Sequence, residues 1–479
     1  MPKVKTQQIR DLSEGIIQRV DERILVENCV YLAQNLRFDN VLGRAVLREG
    51  TTQLGAQIVD GASCLGLFQH IESDGTKIPL AVFDDHGTTP ANSDIYKYTS
   101  DTWSKSEEDW TKSTKVRFVT FLDVSTAVNG TDSPATFNGT NWADTTIHDT
   151  GNFPNGKYVI EFLDRIYVAG VSGNLDRLYY SSIPVTGNIS WTDGNGNLDI
   201  EPEEGTGAIT GLAKVPGYIL IFKERSLKRW DAYSTYPESL IDIGCPSQEG
   251  IVSARQSIYF FNKKGIYQTT GKYPQKISRR IQDIIEAIPS SYYSSVSGWS
   301  DGDNIFFSIG DVTLDSIVFS NAVIVYNIDS QSWTLFTFPN EFLAWTKYVD
   351  SDGDEFVLAG DDDGQVWEVL EGTGDAGAEI PWFVQWNQRE FSRRGYTKDI
   401  TTVVPYTEDI RTGNIFCRIN GTDRFEMVGT IDNKIKRIST SLHGNYFEFR
   451  MNGRGLTGTI IGIDFPGINV NETYENGHN

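Results

Sequence analysis

The chain has 479 residues, with 64 acidic against 42 basic side chains and a formal charge of −22. That balance argues against tight, sequence-reading DNA binding, which draws its affinity from lysine and arginine on phosphates; a surface past which DNA slides without sticking stays open. Gly 45, Phe 25, Tyr 21 and Trp 11 against Met 3 favour short strands joined by turns over long helices.

The opening "MPKVKTQQIRDLSEG" carries charge without an apolar core, so no secretory signal is expected. No run approaches the roughly 18 apolar residues of a membrane span. Cys29, Cys64, Cys245 and Cys417 form no C-x-x-C pair, which predicts neither a zinc ribbon nor a disulfide framework and points to a soluble protein made in a reducing cytosol. Residues 1–62, with "LVENCVYLAQNLRFDN", lack clean strand alternation and are expected to form an N-terminal arm or partial cap.

From residue 63 hairpin-like pairs recur, as in "DRIYVAG…DRLYYSS", "YILIFKERSLKRWDA", "SIYFFNKKGIYQTT" and "EFVLAGDDDGQVWEVL". Aromatic landmarks give the period. Trp103, Trp142, Trp191 and Trp230 are spaced by 39, 49 and 39 residues, followed by Tyr267, Trp333 and Trp367 after 37, 66 and 34. Most steps lie near the roughly 40–50 residues of propeller blade repeats. The expected class is therefore all-β, with a β-propeller of about seven blades over 63–372. Stacked sandwiches with coincidental tryptophan spacing are the alternative.

The long step contains "KISRRIQDIIEAIP", which puts Ile277, Ile281, Ile284, Ile285 and Ile288 on one helical face, with Ser278 as cap and Pro289 as stop. It predicts a helical insertion near 278–288 that packs on the propeller. After the glycine-rich "EGTGDAGAEIP" linker, residues 380–470 contain "NIFCRING", "YFEFRMNG" and "TGTIIGIDF", and are expected to form a separate C-terminal β-sandwich that acts as a docking domain. Residues 471–479 are expected to be a disordered tail.

Signatures of chemistry fail their context. "GWSDG" (Gly298–Gly302) matches G-x-S-x-G but is followed by the strand "DNIFFSIG", so Ser300 is expected in a hairpin turn. "GTGDAG" (Gly372–Gly377) matches G-x-G-x-x-G without a helix behind it. His70, His86, His148, His443 and His478 never fall at ligand spacing. "DGNGNLD" (Asp193–Asp199) and "DSDGDE" (Asp350–Glu355) do not complete a calcium loop, so they read as turns, as do the "NGT" triplets at Asn129 and Asn138. The nearest approach to a sialidase box has Asp329 four residues before Trp333 with no glycine between them. No catalytic, cofactor-binding or metal residue is assigned, and no enzyme is expected.

Charge is uneven. Residues 385–455 hold 12 basic and 8 acidic side chains, a balance of +4, so the remainder carries −26. The acid concentrates in "SEEDW" (Ser106–Trp110), "EPEEG" (Glu201–Gly205) and "GDDDG" (Gly360–Gly364), the base in "REFSRRGYTK" and "NKIKR". Solvated faces are the usual explanation for such a split; the sharper one is a sandwich that docks on an acidic neighbour.

The stretch "IRDLSEGIIQRVDERILVENCVYLAQNLRFDNVLGRAVLREGTTQL" resembles the start of short-tailed phage tail-nozzle (tail tubular B type) proteins. Leu12, Gly15, Asn35, Arg48, Gly50 and Thr51 fit, while Glu14 stands where glycine is common and Glu49 where proline is common. "KISRRIQDIIEAI" after "GIYQTTG", and the ending "KIKRISTSLHGNYFEFRMNGRGLTGTIIGIDF", resemble packaged-DNA stabilisation proteins of the same tail position. The resemblance implies a structural virion protein made in a bacterial host. It implies a homohexameric ring, a tail nozzle or hub below the portal and adaptor, with tail fibres nearby. Such a ring surrounds the ejection channel, helps retain packaged DNA, and lets double-stranded DNA pass an acidic lumen without specific binding. It implies no catalytic residue and no cofactor. The alternative is a glycan-binding propeller, a tail-fibre or lectin-like receptor binder with exposed tryptophans stacking on sugars. Tryptophan burial discriminates the two.

Overall fold

Runs of β-branched and aromatic residues cut by glycine and aspartate turns give short antiparallel strands. The computed structural model describes residues 5–18, 28–39, 41–142, 147–201, 207–350, 352–391, 396–422, 424–432 and 437–471. Cys64–Ile71, Lys77–Asp84, Ser93–Thr99 and Thr102–Trp110 form a first four-stranded blade. A three-stranded second blade begins at Arg117–Phe121, and four-stranded blades follow over 158–199, 209–241 and 251–276. A four-stranded sector, 297–337, precedes a last blade over 342–369.

The innermost strands, Cys64–Ile71, Arg117–Phe121, Tyr158–Phe162, Ile209–Val215, Ile251–Ala254, Ser297–Ser300 and Phe342–Val349, touch in succession, and the last touches the first. The ring is closed. Its count differs slightly from the expected seven blades: six sheets are self-contained blades, and the remaining sector is the first four strands of a nine-stranded sheet.

Each blade buries its faces against its neighbours. Leu220, Phe222 and Leu227 of the fourth blade meet Ile258, Phe260 and Tyr267 of the fifth, with the Phe222 and Phe260 rings edge-on at 5.1 Å. Each such side chain, fully buried, contributes about 1.5–3 kcal/mol relative to exposure. Among the landmarks Trp191, Trp230, Tyr267, Trp333 and Trp367 are buried, Trp103 and Trp142 are half-buried, and no tryptophan is exposed. The period thus marks positions that pack between blades.

Residues 5–54 are not a detached arm or cap. Thr51–Gln53 pairs with Val366–Val369 and supplies the fourth strand of the last blade, so the chain's beginning closes the ring. Leu32–Gln34 joins the sector at Trp333–Thr337 in parallel and Ile380–Gln385 antiparallel. Lys5–Ile9 pairs with Thr459–Asn471, and the hairpin Leu36–Asp39 with Arg44–Leu47 extends the same sheet.

Nor is 380–470 a separate sandwich. One of its sheets is the outer part of the nine-stranded sheet that begins in the ring, and the other includes three N-terminal strands. Phe391, Phe449 and Phe465 pack between the two, with Phe391–Phe465 and Phe449–Phe465 centroids 4.6 and 4.7 Å apart. Alternation within 380–470 is visible in the sequence, but pairing with strands as far back as Lys5–Ile9, Leu32–Gln34 and Arg44–Leu47 is not. Of the expected tail, 471–479, Asn471 ends the last strand and 472–479 lie outside the described residues.

The insertion is a 3₁₀ turn, Ser278–Ile281, running into an α-helix, Gln282–Ala287. Ile281, Ile284, Ile285 and Ile288 are buried in the core shared by ring and sandwich. Ser278 does not cap the helix; its buried hydroxyl accepts the Ile266 backbone N–H at 2.9 Å. Pro289 follows the helix directly, as expected.

Candidate functional site

The residues that fit the opening motif are all buried, and Gly15, Asn35 and Arg48 meet the strand Trp333–Thr337. Leu12 lies in the shared core. Gly15, at φ 67°, sits where a Cβ would stand 2.8 Å from the Trp333 carbonyl oxygen. At the other end, Asn35 adopts φ 57°, donates to Pro381 O at 2.7 Å and accepts Thr337 N–H at 2.7 Å.

Arg48 is 1% exposed and uses its whole fork. Nη1 and Nη2 donate to the two Asp375 carboxylate oxygens at 2.8 and 2.7 Å, and Nε donates to Asn35 Oδ1 at 3.0 Å. The remaining donors reach Glu49 O and Thr337 O, each at 2.8 Å, and the guanidinium lies 4.2 Å from the Phe338 ring centroid. Gly50 admits no side chain, since a Cβ would fall 1.8 Å from Gly374 O; Thr51 N–H donates to that same oxygen at 3.2 Å. One buried arginine thus ties the N-terminal segment, the sector and the segment that leaves the last blade. The departures from the motif are surface ion pairs, Glu14 with Arg280 at 2.7 Å and Glu49 with Arg37 at 2.6 Å, and add little.

The axis of the ring is occupied by its own charges. Arg117, starting the second blade's inner strand, holds Glu249 just before the fifth blade's at 2.7 Å, and stacks 4.9 Å from the Tyr158 ring of the third. Lys115 Nζ donates to Cys64 O at 3.1 Å and Leu343 O at 3.0 Å, on the first and last blades. The second and fifth blades stand on opposite sides of the ring, so the Arg117–Glu249 link crosses the middle. Burial works to raise the Glu249 carboxyl, but the Arg117 and Lys115 charges outweigh it and hold it below the usual glutamate range. Glu249→Gln is expected to destabilise the fold by about 1.5–3 kcal/mol at neutral pH, the range for hydrogen bonds to charged groups. Because the folded value is depressed, the wild-type advantage is present above the unfolded glutamate pKa and fades as pH falls through the folded one. Urea titrations of both proteins across that range would check it.

Acid is distributed otherwise than the runs suggested. In the "GDDDG" turn Asp361 is fully buried and accepts from Trp367 Nε1 at 2.7 Å, Asn340 Nδ2 at 2.6 Å and two backbone N–H groups. It shapes a turn and faces no channel. "SEEDW" lies on the outer edge strand of the first blade, and most of "EPEEG" lies outside the described residues. The concentrated acid is at one end of the ring, where turns between first and second and between third and fourth strands gather: Asp123, Asp164, Asp301, Asp303, Asp329, Asp352 and Asp354 are all exposed there.

The remaining motifs are structural. Ser300 ends a strand, donates to Asn304 O at 2.8 Å and accepts Gly302 N–H at 3.0 Å. Asp350 accepts the Asp352 and Asp354 N–H groups at 2.9 Å each, Asp199 pairs with Arg177, and Asp329 with Arg255. Asn129 and Asn138 accept backbone N–H groups two and three residues on, as turn residues do. His70 and His148 are buried apart, on Ser125 with Glu72 and on Thr126 with Phe121 O. Among the described residues no group of three His, Cys, Asp or Glu is placed to hold a metal. The four cysteines are buried and form no disulfide, and burial pushes the Cys64, Cys245 and Cys417 thiols up to about 12. Asp375 was not legible as a partner; its signal is an acid between glycines of positive φ directly after the last blade. Lys115, Arg117 and Glu249 carry no local signal, because only ring closure brings them together.

Radial sheets with sequential inner-strand contacts and a last blade completed by the chain's start decide the architecture. The chain is a β-propeller. No family model matches it, and no curated protein matches it. Among solved structures the propeller is similar to YCF48 from Cyanidioschyzon merolae, at 9% identity and TM-score 0.41 over 67% of this chain and 98% of that one. It is also similar to the extracellular domain of a one component system from B. thetaiotaomicron, at 11% identity and TM-score 0.43 over 91% and 62%. A third is the Neurospora crassa Pan2 WD40 domain, at 7% and 0.40 over 68% and 98%. These likenesses concern the fold alone.

Proposed function

We propose that this propeller is a structural virion protein, a tail nozzle or hub subunit that assembles as a ring around the DNA ejection channel and acts without catalysis. The observation that carries the reading is the convergence of four of the six nozzle-like motif residues on one buried junction. Asn35, Arg48, Gly50 and Thr51 have physical tasks there that few other residue types perform, so the motif letters serve a structural purpose in this fold. Buried tryptophans and an axis filled by Arg117 and Glu249 favour a scaffold over a binder of small ligands. DNA would then pass through the middle of the assembled ring of subunits, not through one propeller. Electron microscopy of tails carrying a tagged copy tests the reading: six-fold density on the axis below the portal is expected, and density on peripheral fibres would overturn it.

One observation favours the second reading, a glycan-binding propeller. Tyr233, Tyr236 and Tyr273 are 84%, 76% and 69% exposed on turns of the adjacent fourth and fifth blades. Exposed tyrosines offer faces for sugar stacking. On that reading a glycan array gives binding that is lost in Tyr233→Ala with Tyr236→Ala.

A further inference from the structure

The nine-stranded sheet turns one face to the sandwich core and leaves the other open. On the core side Trp382, Val384, Ile415, Cys417, Phe449 and Met451 are buried. On the open side, cross-strand pairing sets Pro381, Arg454 and Thr412 in one row and Phe383, Asn452 and Asn414 in the next. A groove of about 850 Å³ runs over these rows, with Arg411, Arg450 and Arg454 in its lining. A second hollow of about 380 Å³ shares Arg450 and Asn452 and adds Arg418 and Arg424. Arg450 lies 3.8 Å from the Phe425 ring centroid and 5.0 Å from that of Phe383, which holds it against the sheet. Glu379 and Asp432 also line the groove and Asp315 the hollow, so the arginines outnumber the acids in a chain of −22 charge. Arg411 and Arg454 are exposed and make no ion pair among the described residues.

The complementary surface is on the same molecule but cannot reach the groove. Strand direction alternates within a blade, so the aspartate-bearing turns lie at one end of the ring, while Asp315 and Ser316, which line the hollow, form a turn at the opposite end. We propose that the arginine-lined sheet face docks the aspartate-rich turn end of a second copy of this chain. Groove and turns are different surfaces, so the contact is head-to-tail, and repetition of such a contact closes a ring or runs on as a filament. Guanidinium forks matched to carboxylates give such a contact register as well as attraction. The inference rests on the ring-forming reading for the closed form only; the pairing itself rests on charge and position.

Sedimentation velocity of the full chain at low and high salt, over a wide concentration range, tests it with two variants. The groove variant carries Arg411→Glu and Arg454→Glu. The turn variant carries Asp123→Asn, Asp164→Asn, Asp303→Asn, Asp329→Asn and Asp354→Asn, where asparagine keeps the turn geometry and removes the charge. Wild type is expected to self-associate at low salt and to dissociate at high salt, and each variant alone to be monomeric. Mixed, the variants are expected to give a one-to-one dimer and nothing larger, because each retains the half the other lacks. A monomeric wild type, a groove variant that assembles as wild type does, or a mixture that stays monomeric would overturn the proposal. So would a labelled DNA duplex bound by wild type and lost in the groove variant, which would assign the arginines to phosphate. Rings that persist in the groove variant would remove this contact and leave the nozzle reading standing; axial density on tails tests that reading separately.

Discussion

Arg48→Ala is expected to destabilise the protein by about 3–5 kcal/mol, the range for removing one partner of a buried ion pair. The arginine side chain is fully buried and Asp375 is 6% exposed, so truncation strands a carboxylate with no solvent to receive it. The same change leaves Thr337 O and Glu49 O without their donors, and takes from Asn35 Oδ1 one of its two. Lysine would not restore the site, because one ammonium cannot span two carboxylate oxygens, an amide and two carbonyls at once. Asp375→Ala should cost a similar amount, since it strands the guanidinium instead. The double variant should cost clearly less than the sum of the two, because neither charge is then left alone. Chemical denaturation of the three variants beside wild type would check this; additive losses would show that Arg48 and Asp375 act independently.

The junction also shows what could be read from the letters and what could not. Blade period, strand content and the helical insertion follow from spacing that local chemistry enforces. Trp230 and Trp333 recur because each blade needs a large side chain against its neighbour, and the isoleucines at 281, 284 and 285 share a face because helical geometry puts them there. Roles set by long-range pairing stay hidden. Thr51–Gln53 looks like any short polar stretch until Val366–Val369 arrives beside it. The "GTGDAG" run reads as a spacer because its function, presenting Asp375 and the Gly374 carbonyl to Arg48 and to Thr51, belongs to a contact across more than 300 residues. Acidic runs mislead for a related reason. Asp361 is buried and satisfied while scattered single aspartates at turn tips carry the exposed charge, and clustering along the chain says little about clustering in space.

Deleting 385–455 is expected to unfold the propeller, although sequence alone predicts a ring that survives the loss of a docking domain. One continuous core holds Ile305 and Phe307 of the sector, Ile284 and Ile285 of the helix, Leu32 and Leu36 of the N-terminal segment, and Phe447, Phe449 and Met451 of the sandwich. Removing the last three, with Ile415, uncovers their partners over a comparable area. At about 1.5–3 kcal/mol for each large side chain, four such losses approach the roughly 5–15 kcal/mol by which a typical fold is stable. The cut also strips Ile380–Gln385 of its pairing with Phe447–Gly455 and leaves the edge of the sheet open to association. The deletion also removes Thr397–Glu408, the neighbour of Thr459–Asn471, and that strand in turn holds Lys5–Ile9 and Arg44–Leu47. These N-terminal strands lead into Thr51–Gln53, which closes the last blade, so the damage passes from sandwich to ring. Calorimetry of the full chain should accordingly give one cooperative transition, and limited proteolysis of the deletion variant no resistant fragment near 63–372. A stable fragment of that size would mean that the stitching strands are dispensable and that the ring closes without them.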